Sequence, residues 1–84
     1  MKQVKLFYLR MCPYCLKALK YLEELKKEER YKDIEIEMIE ENKHPEIANQ
    51  YNYYYVPTFY VDEVKVFEGK PTLEDIKRVL DQSL

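Results

Sequence analysis

The chain has 84 residues, 46% of them apolar and 36% charged, with a formal net charge of −2. That balance suits one globular domain, residues 1–84, burying roughly 60% of the surface its unfolded form exposes, and it excludes a disordered chain. Fourteen Lys and Arg against sixteen Asp and Glu supply no basic field for nucleic acid, and the single glycine, Gly69, leaves no material for flexible linkers or glycine-rich phosphate cradles.

Residues 3–9, QVKLFYL, are short, apolar and aromatic and predict a buried strand. The apolar run inside it, Leu6–Leu9, is four residues long. A signal peptide needs about 7–15 apolar residues and a membrane span about 20, so the expectation is a cytoplasmic protein with no membrane association. Pro13 suits the first position of a helix, where its missing N–H costs nothing. Cys15, Leu16, Ala18, Leu19, Leu22 and Leu25 then recur at helical spacing and carry that helix to about Arg30.

DIEIEMI, Asp33 to Ile39, alternates apolar and acidic residues and predicts a half-buried strand. HPEIANQYN predicts a short helix with Pro45 near its start. TFYVD and KVF predict an antiparallel pair of strands around Asp62 and Glu63. PTLEDIKRVLDQSL predicts a last helix with Thr72 as N-cap, Asp75 completing a capping-box variant, and Leu73, Ile76, Val79 and Leu80 as its apolar face. The order is βαβαββα. Alternating strands and helices imply a parallel pair with right-handed crossovers, and the terminal hairpin adds an antiparallel edge. The expected architecture is one α/β domain.

Both cysteines lie in Arg10–Leu25, RMCPYCLKALKYLEEL, two residues apart with Pro13 and Tyr14 between them. As a permanent cross-link, Cys12–Cys15 closes a loop worth only about 2 kcal/mol of chain entropy and ties one helical turn to itself. As a metal clip it supplies two of the four ligands that structural zinc takes, with His44 and carboxylates as the only further candidates; the expected metal site is none. An iron–sulfur cluster shared between two protomers is the alternative of a different class, against the expectation of a monomer.

As a redox pair, both spacing and position are favourable. Cys12 precedes the first helical turn, whose unpaired N–H groups and positive dipole end favour a thiolate, and Arg10 is the nearest cation. Cys15, one turn further in, is the less accessible thiol. Cys12 is therefore expected to attack a substrate disulfide and Cys15 to resolve the mixed disulfide. In a reducing compartment such a disulfide is transient and catalytic.

A redox pair also needs a surface that holds its substrate. Val56-Pro57-Thr58 stands at the entry to the third strand, and Tyr51, Tyr53, Tyr54, Tyr55 and Tyr60 surround it in sequence. Tyr55 is the expected aromatic substrate contact, and Tyr14 is expected to be exposed beside Cys12. His44, directly before Pro45, reads as a surface or capping residue.

Cys12-Pro13-Tyr14-Cys15 together with Val56-Pro57-Thr58 resembles the glutaredoxin branch of the thioredoxin-like superfamily, and the resemblance covers essentially the whole chain. It implies a thioredoxin-like, glutaredoxin-type domain whose central mixed four-stranded sheet is flanked by helices, with Pro57 cis beside Cys12. The Val56 backbone would pair with an incoming thiol substrate as an added strand. It implies no bound cofactor, with glutathione as reductant or co-substrate. The family usually carries Thr where this chain has Tyr55. It usually has a Gly-Gly pair and an Asp where this chain reads FEGKPTLEDI, leaving Thr72 as the candidate carboxylate anchor. Two versions follow from the resemblance. In one, the protein reduces protein disulfides or glutathione mixed disulfides with glutathione as electron source. In the other, it is a dithiol donor reduced by a thioredoxin reductase and serving a partner such as ribonucleotide reductase.

Overall fold

The computed structural model describes residues 2–84 and runs β1 (Val4–Tyr8), α1 (Pro13–Leu25), β2 (Ile36–Glu40), α2 (Pro45–Ala48), β3 (Thr58–Val61), β4 (Val64–Glu68) and α3 (Leu73–Ser83). The strands form one sheet in the order β2-β1-β3-β4. β1 runs parallel to β2, with Val4 opposite Ile36, and antiparallel to β3, with Leu6 opposite Phe59. β4 closes the edge antiparallel to β3, with a register shift between Phe59 and Tyr60. This is the expected α/β single domain with a mixed four-stranded sheet, and its topology is thioredoxin-like.

Side-chain alternation along β1 sends Val4 and Leu6 to one face of the sheet and Phe7 to the other. On the first face they meet Ala18, Leu22 and Leu25 of α1, Phe59 and Val61 of β3, and Ile76, Val79 and Leu80 of α3. On the second face Phe7 packs with Ile39, Ala48 and Tyr60, and with the half-buried Tyr51 and Tyr53. The Phe7 ring centroid lies 4.7 Å from that of Tyr51 and 5.1 Å from that of Tyr53. A four-residue helix cannot cover this face alone. Tyrosines from the segment before β3 supply the missing bulk, at about 0.5–1.5 kcal/mol per aromatic pair beyond the area they bury.

Four expectations are corrected. α1 stops at Leu25 instead of Arg30, because the chain turns there to bury Tyr31 and Ile34 completely, and Lys26 donates from Nζ to the Ile34 carbonyl. Leu16, counted with the apolar face, is 53% exposed, since Cys15, Ala18, Leu22 and Leu25 fill the stripe that faces the sheet. β2 begins at Ile36 and not at Asp33, because its partner β1 begins at Val4. Leu73 likewise stands 38% exposed at the head of α3, while Ile76, Val79 and Leu80 carry its buried face.

The hairpin between β3 and β4 turns through Asp62 (φ 48°) and Glu63 (φ 69°), the two left-handed residues that a two-residue turn matched to strand twist requires. Asp62, whose short polar side chain tolerates that conformation, accepts from the Gln3 N–H at 2.9 Å, while Glu63 is paired with Lys5. α3 carries the predicted capping box. The Asp75 N–H donates to Thr72 Oγ1 at 3.2 Å, and the Thr72 N–H donates to Asp75 Oδ2 at 3.0 Å. His44 is the N-cap of α2, half-exposed, with Nδ1 3.7 Å from the Glu46 carboxylate. Among the described residues, no helix is long and apolar enough to cross a membrane.

Candidate active site

β1 delivers the chain at Tyr8 to a short turn, Leu9-Arg10-Met11, that ends on Cys12. Cys12 is the N-cap of α1, in extended conformation (φ −79°, ψ 121°), and Pro13 follows as the first helical residue. Both cysteines are free thiols. They differ sharply in surroundings. Cys12 is partly exposed, whereas Cys15 is completely buried and accepts a hydrogen bond from the Leu9 N–H at 3.4 Å. Burial pushes the Cys15 thiol up to about 12, the Leu9 N–H works against that rise, and the neighbouring Cys12 sulfur and the Glu41 charge add to it.

Facing Cys12 is the turn into β3. The Val56–Pro57 peptide is cis and Pro57 is buried. The Cys12 thiol donates to the Val56 carbonyl at 3.9 Å. Two contacts fix the turn from behind: the Gly69 N–H donates to the Pro57 carbonyl at 3.0 Å, and the buried Thr58 hydroxyl donates to the Tyr55 carbonyl. From the end of β4, Glu68 accepts from the N–H groups of both Tyr54 and Tyr55, the latter at 2.8 Å, and pairs with Lys65 at 2.8 Å. The Lys65 ammonium and then these two amides hold the Glu68 carboxyl down at about 2.

Each residue singled out from sequence has a definite location. Cys12, Val56 and Pro57 come together. Tyr55 is 69% exposed on the same loop, with Tyr54 beside it at 90%. Tyr14 sits in the first turn of α1, 40% exposed, with Lys70 Nζ 5.5 Å from its ring centroid, so the β4–α3 loop reaches the rim of the site. Arg10 is exposed and lines, with Leu9, Met11, Cys12, Glu40 and Asn42, a cavity of about 520 Å³ next to the nucleophile. Thr72 is engaged by Asp75 through both its N–H and its hydroxyl, the latter at 2.9 Å. Tyr51, Tyr53 and Tyr60 belong to the core beneath the site.

Sequence reasoning missed Met11, Glu40 and Glu68. Met11 is 88% exposed next to Cys12, an apolar side chain held in solvent. Glu40 is 95% buried at the end of β2, where it accepts from the Asn42 N–H. The alternation in EIEMIE places it on the face of Ile34 and Ile36, and that was the available signal. Nothing local in FEGK marks Glu68, because its two amide partners lie 13 and 14 residues away. Among the described residues, no three His, Cys, Asp or Glu side chains come together as a metal site would need.

Comparison with known proteins bears on both fold and family. No curated protein sequence matches. Among solved structures, the oxidised thioredoxin of Plasmodium falciparum superposes with a TM-score of 0.74 at 19% identity, covering 96% of this chain and 79% of that one. A malarial protein superposes with a TM-score of 0.76 at 17% identity, covering 100% and 98% of the two chains. A glutaredoxin from Brucella melitensis gives 0.53 at 22% identity, covering 98% and 82%. At these identities the likeness is one of fold. A thioredoxin-like fold with a Cys-x-x-Cys pair at the head of α1 supports a thiol–disulfide oxidoreductase. The family model described as thioredoxin domain matches residues 2–81, nearly the whole chain, and the protein belongs to that family.

Proposed function

We propose that the protein is a dithiol oxidoreductase that reduces disulfides in polypeptide chains. The observation that carries this reading is the asymmetry of the pair: a partly exposed Cys12 against the Val56 carbonyl, and a buried Cys15 one turn behind it. The Cys12 thiolate attacks one sulfur of the substrate disulfide. A mixed disulfide forms, and the departing substrate sulfur takes a proton from water. Cys15, once deprotonated, attacks the Cys12 sulfur, releasing the second substrate thiol and forming the Cys12–Cys15 disulfide. Two electrons pass from the protein to the substrate. Because burial makes Cys15 hold its proton well into alkaline pH, it must lose that proton before the resolving attack.

Recharging the pair requires an external dithiol or thiol. The first turn of α3 carries Glu74 and Asp75, and Asp75 already takes up the Thr72 N–H and hydroxyl that a ligand carboxylate would use. A carboxylate brought to a helix start already carrying negative charge is repelled. This favours a thioredoxin reductase over glutathione as the electron source. A second reading, with glutathione as reductant, is supported by Lys70 beside Tyr14, a cation at the rim of the site able to meet a carboxylate. In both readings the protein acts as a monomer in a reducing compartment, the cytoplasm, without bound cofactor.

The test is to time reduction of the oxidised protein by glutathione against reduction by a thioredoxin reductase with NADPH. Fast reduction by the reductase and slow reduction by glutathione is the expected result, and the reverse would install the second reading. Insulin reduction surviving in Cys12→Ser would overturn both.

A further inference from the structure

The segment facing Cys12 is held by a side chain with no part in the exchange chemistry. Glu68, the last residue of β4, reaches across to the loop before the cis peptide and accepts both the Tyr54 and the Tyr55 N–H groups on one carboxylate oxygen, Oε2. Its other oxygen pairs with Lys65 on the same strand. The next residue, Gly69, donates its N–H to the Pro57 carbonyl at 3.0 Å. The strand end therefore grips the loop on both sides of Val56, whose carbonyl faces the Cys12 sulfur.

The gripped segment is exposed and irregular. Tyr54 and Tyr55 are 90% and 69% exposed, and Asn52 through Pro57 has no regular structure before β3 begins. Hydrogen bonds to a charged acceptor are roughly twice as strong as neutral ones, and the low pKa of Glu68, about 2, keeps that acceptor charged at every working pH. An exposed loop so anchored keeps the Val56 backbone in one orientation before a substrate arrives, which cuts the ordering cost of main-chain recognition.

We propose that Glu68 is a positioning residue for polypeptide substrates: it fixes the Tyr54–Val56 backbone so that a disulfide-bearing chain can align along it at Cys12. The inference rests on the exchange reading above. It separates substrates by class. A protein disulfide needs the aligned backbone, whereas a small-molecule disulfide needs only the Cys12 sulfur.

The experiment compares the second-order rate constants at which the reduced protein is oxidised by insulin and by 5,5′-dithiobis(2-nitrobenzoate), for wild type, Glu68→Ala, Glu68→Gln and Glu68→Asp. Asp keeps the charge but is one methylene too short to hold both amides. Gln keeps an oxygen at the right reach. Misalignment by about 1 Å can cost up to a hundredfold. Ala and Asp are therefore expected to lose about tenfold or more on insulin, with the small disulfide unchanged and Gln, which keeps the reach but not the charge, falling between Asp and wild type. Should the Ala variant not fold, Asp decides. Equal losses on both substrates in Asp, no loss on insulin in Asp, or a Gln variant as poor as Asp would each overturn the proposal while leaving the exchange reading intact. A wild-type protein oxidised by neither reagent would overturn the exchange reading itself, and this inference with it.

Discussion

The burial of Cys15 makes a quantitative prediction about its reactivity. An ordinary thiol titrates at 9.0 here, and burial, the largest cause, with help from Cys12 and Glu41, pushes Cys15 up to about 12. At any pH well below 9 its thiolate is then about a thousandfold scarcer than in the unfolded chain, at tenfold per pH unit. The perturbation is Cys12→Ser, which leaves Cys15 as the only thiol. That change removes the Cys12 contribution and keeps the burial, so the native chain should alkylate at least about a hundredfold more slowly than the unfolded one. The assay is the rate of iodoacetamide labelling at pH 8, followed by mass spectrometry, in buffer and in denaturant. Native labelling should also climb about tenfold per pH unit to beyond pH 10, since it tracks the thiolate. Native and unfolded rates within tenfold of each other would refute the assignment of Cys15 as the protected, resolving thiol.

The same raised values predict alkaline lability. Cys15 and the buried Tyr31, also pushed up to about 12 by burial and by its bond to Asp81, keep their protons in the folded state after the unfolded chain has lost them. The stability they contribute is complete below about pH 9 and is lost as pH rises from there toward 12, at up to about 1.4 kcal/mol per unit for each group. Urea unfolding of the reduced protein at pH 6, 7 and 11 should therefore give equal contributions from these two groups at the first two and a lower stability at the third; a flat profile to pH 11 would contradict it. At the other end of the chain, Thr72→Ala removes the hydroxyl that caps the Asp75 N–H. It should cost about 1 kcal/mol, or roughly 4–8 °C in Tm for a domain of this size, read by circular dichroism. A shift under about 1 °C would mean that the capping box contributes nothing measurable.

Sequence and tertiary structure contributed differently to each part of the protein. α3 was legible because its signals are local: a cap, its partner three residues on, and an apolar stripe at helical spacing, all found as expected except that Leu73 stands exposed. The cysteine pair was legible for the same reason, since Pro13 puts Cys12 at a helix start and Cys15 one turn inside it. The parallel β1–β2 pair and the antiparallel β3–β4 hairpin followed from alternation and connection rules that need no coordinates, whereas the antiparallel pairing of β1 with β3 that sets the order β2-β1-β3-β4 did not.

What local signals could not convey were contacts between residues far apart in the chain. α1 has sequence enough to reach Arg30, and it ends at Leu25 because Tyr31 and Ile34 gain more from burial under the sheet than from another helical turn. The tyrosines read as one aromatic rim divide, with Tyr51, Tyr53 and Tyr60 packing on Phe7 and Tyr54 and Tyr55 left in solvent; only the path of the loop separates them. Glu68 is an unremarkable strand-end carboxylate until the fold brings the Tyr54 and Tyr55 amides to it. Propensity, capping and helix-start chemistry act within a turn or two of chain, so the sequence alone determined the elements and the reactive pair. Which side chains close around that pair depends on long-range packing, and that was decided only when the sheet assembled.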